Sequence, residues 1–168
     1  MDAQTLAWMD QQDAYIATAI RRHGVFIAYI GGGECSRPGC DGDTDLSEAP
    51  FAYTVGLHGL HHPELLVFDL CQNDSANVLN GMASRIMSGE DFLPGEMIGF
   101  EEWSHRAILE IVPNPGEIVF EANRYYGRPS ELSVPVIQVS YDDEEGRFPS
   151  EDDFLHPGRQ PRPGTFQA

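Results

Sequence analysis

Two apolar runs, Phe51–Leu57 and Glu64–Leu70, stand on either side of a short Gly-, Leu- and His-containing segment that ends at Pro63. They read as neighbouring strands joined by a turn near Pro63. Elsewhere, hairpin-length connections are mixed with long ones, so the chain does not alternate strand and helix in a regular βαβ series. That spacing predicts a single α+β domain. It is built on a mainly antiparallel sheet of five to six strands, open or closed into a barrel, with about three helices.

Periodicity places the helices. In residues 5–23, Leu6, Met9, Ile16, Ala19 and Ile20 recur at three- and four-residue steps, with Gln12 and Asp13 interrupting the stripe. Thr5 is a candidate cap and Gly24 a candidate C-terminal stop. A second helix is expected over Asp74–Ser88, capped by Asp74, with Val78, Leu79, Met82, Ala83 and Ile86 inward. A third is expected over Glu117–Tyr126, stopped by Gly127. Further strands are expected at Val25–Ile30, Glu96–Trp103, His105–Val112 (Ala107, Leu109 and Ile111 sharing a face) and Val134–Tyr141. The domain is therefore expected over 1–141, with a Cys-containing insert loop at 31–50. An acidic, Pro-containing tail, 142–168, packs loosely over it.

Charge excludes several functions. Ten basic residues face 27 acidic ones, a formal net charge of −17, and every basic residue is arginine. Without lysine there is no P-loop and no Schiff-base amine. Bulk charge of this sign opposes tracking of a nucleic-acid backbone or an anionic membrane surface. No apolar run approaches the ~18 residues of a membrane span. The start, Met1-Asp2-Ala3-Gln4, lacks a basic region followed by an apolar stretch, so no signal peptide is expected and the cytoplasm is the expected compartment.

Four constellations could carry chemistry. His58, His61, His62 and Glu64 crowd one turn, where imidazoles suit acid–base work or metal ligation. Asn123-Arg124-Tyr125-Tyr126 sets a guanidinium beside two aromatic faces, a combination suited to a phosphate or carboxylate attached to a ring. Cys35 and Cys40 are candidate metal ligands, a candidate disulfide, or free thiols. Thr54 lies on the strand before Gly56, opposite the face of Tyr53 and Val55. This strand and the one after it are loosely similar to the ligand-facing strands of split-barrel flavin-binding proteins, in which a Thr and an Arg can bind a flavin phosphate. No particular cofactor is singled out. The expected function is a small-ligand- or cofactor-binding domain, with or without enzymatic activity. Its pocket would lie between 53–62 and 123–126, and Thr54, His58, His62, Asn123, Arg124, Tyr125 and Tyr126 would line it. The alternatives are an acidic interaction or inhibitor protein that binds a basic partner through Asp41–Glu48, Asp142–Glu145 and Glu151–Asp153, and a metal-stabilised domain.

The blocks Phe51-Ala52-Tyr53-Thr54-Val55-Gly56-Leu57, His62-Pro63-Glu64-Leu65-Leu66-Val67-Phe68, Gly89-Glu90 with Phe92 and Pro94-Gly95-Glu96, Ala122-Asn123-Arg124-Tyr125-Tyr126-Gly127, and Gly146-Arg147-Phe148-Pro149 occur in this order. Together they resemble a bacterial family, frequent in actinobacteria, known as domain of unknown function four-two-six-two. The resemblance spans nearly the whole chain and implies no particular reaction. The 31–49 loop is longer than the usual family connection.

Overall fold

The computed structural model describes residues 1–31 and 49–168. Cys35, Cys40 and the 31–50 insert expected from the sequence fall almost wholly outside them. The elements in chain order are α1 (Ala3–His23), β1 (Phe26–Ile30), β2 (Phe51–Val55), β3 (Glu64–Phe68), α2 (Gln72–Met87), β4 (Met97–Ile98), β5 (Ala107–Ile111), α3 (Phe120–Tyr125) and β6 (Val136–Tyr141). Short 3-10 turns occupy Leu57–Leu60, Pro115–Glu117 and Ser130–Leu132.

The strands form one sheet in the order β1-β2-β3-β6-β5-β4. Four of its joints are antiparallel, and β3–β6 is parallel, with Leu65 opposite Ile137. The fold is thus α+β with a mixed, mainly antiparallel sheet. It stays open, because β1 and β4 lie at opposite edges and do not pair, so the barrel alternative is corrected. Every residue of β2, β3 and β6 is buried. Burial on both faces explains why these strands read as continuous apolar runs. On one face Ala52, Leu65 and Val67 pack with Leu79, Met82 and Ala83 of α2. On the other, Tyr53, Val55 and Leu66 pack with Ile16 of α1 and Ala122 of α3.

Local chemistry moves several expected boundaries. Asp2, not Thr5, caps α1: its side chain accepts the Thr5 N–H at 2.8 Å. Gly24 ends that helix in the left-handed region, φ 82°. Only Ile16 of α1 is fully buried, and Leu6 is half-exposed. Cys71, not Asp74, caps α2, its Sγ accepting the Asp74 N–H. The third helix is shorter than expected, because Pro115–Glu117 forms a 3-10 turn and α3 begins only at Phe120. The strand expected over Glu96–Trp103 shrinks to Met97–Ile98, and residues 99–103 instead run beside α2 across a groove. Ile111, at the end of β5, is exposed.

The tail is pinned firmly, not loosely. Phe148 and Phe154 are buried, and the Phe166 ring meets Phe51 and Phe68 at 5.1 and 5.0 Å. Arg162 forms a two-pronged pair with Glu110, at 2.7 and 2.6 Å. Two tail acids act as internal acceptors. Asp142 takes His105 Nδ1 and the Arg106 backbone N–H. The Asp143 carboxylate accepts the N–H groups of Glu145, Arg147 and Leu155. Burial opposes its ionisation, yet these donors and the Arg147 guanidinium hold its pKa at about 2, below the ordinary 3.8. A depressed carboxyl stabilises the fold fully above its unfolded value and loses that contribution as pH falls through the folded one. The tail's anchorage should therefore weaken between about pH 4 and pH 2. In thermal melts, Asp143→Asn should lie below the unsubstituted protein at pH 5 and converge on it by pH 2. Parallel curves over that range would refute the assignment.

Candidate functional site

The turn after β2 is organised by one buried carboxylate. Glu64, at the start of β3, is fully buried. It accepts four hydrogen bonds: Thr54 Oγ1 at 2.6 Å, and the backbone N–H groups of Gly56 at 2.8, Leu57 at 3.2 and His58 at 3.1 Å. Thr54 Oγ1 in turn accepts the Leu65 N–H at 2.9 Å. Burial pushes the Glu64 carboxyl above its ordinary range, and the four donors pull against it. Gly56 is needed for this geometry: at φ 132° it turns three successive amides toward one point, and a Cβ there would sit 2.8 Å from the Gly24 carbonyl oxygen. Thr54 and Glu64 thus face each other inside the protein and are closed to solvent.

The segments 53–62 and 123–126 do meet. Gly59 donates its N–H to the Tyr126 hydroxyl at 3.0 Å, and the His58 ring packs edge-on to Tyr126 at 4.8 Å. Burial, with smaller contributions from Glu64 and Tyr125 against the Gly59 N–H, pushes the Tyr126 hydroxyl up to about 12. Burial, then the charges of Arg128 and His61, lowers the His58 imidazole. Tyr125 lies exposed beside Tyr126, ring to ring at 4.9 Å.

Other candidates serve neighbours. His62 is buried and faces away from His58: Nδ1 donates to the Pro63 carbonyl and Nε2 accepts the Phe92 N–H. Asn123 is buried and ties the 133–134 segment to α3 through Ser133 and the Val134 N–H. Arg124 turns to α1 and pairs with Asp13 at 2.7 Å. The guanidinium beside the His58–Tyr126 seam is instead that of Arg128, 3.4 Å from His58 Nε2. The sequence signal for it is a second arginine four residues beyond Arg124. Among the described residues, no three His, Cys, Asp or Glu side chains gather as they would around a metal ion.

An open groove lies elsewhere. With a volume of about 700 Å³, it runs between α2 and the 99–103 segment. Asp74, Asn77, Gly81 and Arg85 form one wall, and Gly99 to Trp103 the other. Val78 and Met82, both buried, lie between α2 and the core at its base. A Cβ added at Gly81 or Gly99 would meet nothing within 4 Å, so both glycines border open space. The sequence contains two signals of this groove: a glycine in the middle of an otherwise regular helix, and the acidic pair Glu101-Glu102 flanked by Phe100 and Trp103.

No helix among the described residues is long and apolar enough to cross a membrane. No curated protein and no solved structure matches the chain. Residues 19–155 match the family model described as Domain of unknown function (DUF4262), which spans most of the chain and contains both the Glu64 turn and the groove. The chain therefore belongs to the DUF4262 family.

Proposed function

We propose that this protein is a small-ligand-binding domain whose ligand occupies the groove between α2 and the 99–103 segment. The observation that carries the reading is Gly81. A glycine inside a helix costs about 1 kcal/mol relative to alanine. Here no close approach of another chain segment calls for it, since its Cβ would meet only open space. What the missing side chain leaves is room. The volume of about 700 Å³ lies within the roughly 300–1,000 Å³ usual for small-molecule sites.

A second reading places an anion at the seam, where Arg128 and His58 stand together. Arg128 has no ion pair among the described residues. One thermal-shift panel of organic cations, anions and neutral compounds separates the readings. Gly81→Ala should raise the melting temperature by about 2–4 °C, since helix propensity improves by roughly 1 kcal/mol, and should keep any ligand response. Gly81→Leu should fold equally well and abolish the response by filling the groove. If Gly81→Leu retains the shift and Arg128→Ala removes it, the seam is the site and the groove reading is wrong.

A further inference from the structure

We infer that the ligand of the α2 groove is a small organic cation, an ammonium or guanidinium carried on an apolar body. This rests on the groove reading and adds the chemistry. Four carboxylates border the groove: Asp74, Glu90, Glu101 and Glu102. Among the described residues that line the groove the one cation is Arg85, which is already engaged. Its guanidinium pairs with Glu90 at 2.9 Å and lies 4.8 Å from the centre of the Phe92 ring. Glu101 and Glu102 are exposed and have no ion pair among the described residues. An anion entering here would meet a rim of its own sign, and a neutral molecule would leave the rim unused.

The aromatic side of the groove suits a cation equally well. Trp103 is half-buried and braced on three sides, by Phe100 at 5.0 Å, His105 at 4.9 Å and Tyr141 at 5.1 Å. His105 is itself fixed by Asp142 at 2.9 Å. The indole is therefore positioned before any ligand arrives, and little side-chain freedom is lost on binding. Tryptophan offers a cation the most favourable aromatic face, and the attraction grows as the pair is desolvated. The protein already uses such contacts within its fold, with Arg85 over the buried Phe92 ring and Arg106 over the buried Phe148 ring. The net charge of −17 draws cations toward the molecule, and the groove gives them a place to dock. The groove volume selects a compact molecule and not a length of basic peptide.

The chain holds two tryptophans, and Trp8 is exposed on α1. In a Trp8→Phe protein, Trp103 fluorescence reports the groove alone. Titration at low salt with benzyltrimethylammonium should give a saturating change. Glu101→Gln combined with Glu102→Gln should weaken it about tenfold, as should a rise to high ionic strength. Gly81→Leu should abolish it, with circular dichroism confirming the fold of each variant. Phenylacetate and uncharged benzyl alcohol should not saturate. If either saturates as tightly as the cation and Gly81→Leu removes that signal, the groove binds ligands but the cation assignment is overturned. A response to benzyltrimethylammonium that the double Gln variant leaves unchanged overturns it too. Saturation by an arginine hexapeptide but not by the small cation replaces it with peptide docking. If no probe saturates, both the cation assignment and the groove reading fail.

Discussion

Replacing Glu64 with alanine should lower the free energy of unfolding by on the order of 4 kcal/mol. The substitution removes the acceptor for the Thr54 hydroxyl and for three backbone N–H groups. A buried donor left without a partner costs about 1–3 kcal/mol, and several are orphaned together. Partial relaxation of the Leu57–Leu60 turn toward solvent keeps the sum below the arithmetic maximum. Thr54→Val should cost less, about 1–3 kcal/mol, since it removes one donor to Glu64 and the acceptor of the Leu65 N–H. Because the two side chains share a hydrogen bond, the double variant should cost clearly less than the two single losses added together. Urea denaturation of the four proteins measures all of this. A Glu64→Ala loss below about 1 kcal/mol would mean that the carboxylate does not organise the turn.

Gly116→Ala should be similarly damaging for an unrelated reason. Gly116 lies in the Pro115–Glu117 turn, packed on the Ser130–Leu132 turn. A Cβ there would land on the Ser130 carbonyl oxygen and lie 2.7 Å from its carbon and 2.9 Å from the Ser130 Cα. These are backbone atoms, so no side chain can swing aside. Separating the two turns should cost about 3 kcal/mol, at the upper end of overpacking effects. Gly116→Ser should cost about the same, because the obstruction is the first carbon. The same glycine-to-alanine change should stabilise at position 81 and destabilise at 116, and only what the new carbon meets decides the sign. Guanidinium unfolding of both variants tests this contrast, which equal shifts would contradict.

The sequence makes much of the sheet legible, because its central strands are buried on both faces and are therefore mostly apolar. Phe51–Val55 and Glu64–Phe68 stand out for that reason. The α2 stripe is legible because α2 covers the sheet along its length. The α1 stripe misleads at Leu6, which stays half-exposed, since amphipathic spacing records what a helix could bury and not what packs against it. The parallel β3–β6 joint has no local signature: it depends on where the chain returns after almost seventy residues. At the candidate site, the meeting of His58 with Tyr126 follows from two polar-aromatic blocks that are conspicuous in the sequence. The partner of Arg124 does not, because an arginine in an acidic chain has many carboxylates to choose from, and only the packing of α3 against α1 selects Asp13. Glu64 stands out in the sequence only as a neighbour of three histidines, and its role as acceptor of four hydrogen bonds from the turn appears only in the fold.

The parallel joint also shapes how the chain reaches its native state. β1, β2 and β3 form one antiparallel ladder, and β4, β5 and β6 another, each assembled from strands that follow one another along the chain. Only β3–β6 joins them, and it pairs Leu65 with Ile137 across the whole intervening segment. The closure entropy of that segment is spent in a single contact between two half-sheets, each bare on its inner edge until they meet. On these grounds the joint is expected to close late in assembly, and the inner edges of β3 and β6 are then the edges an unfinished molecule offers to another copy of itself.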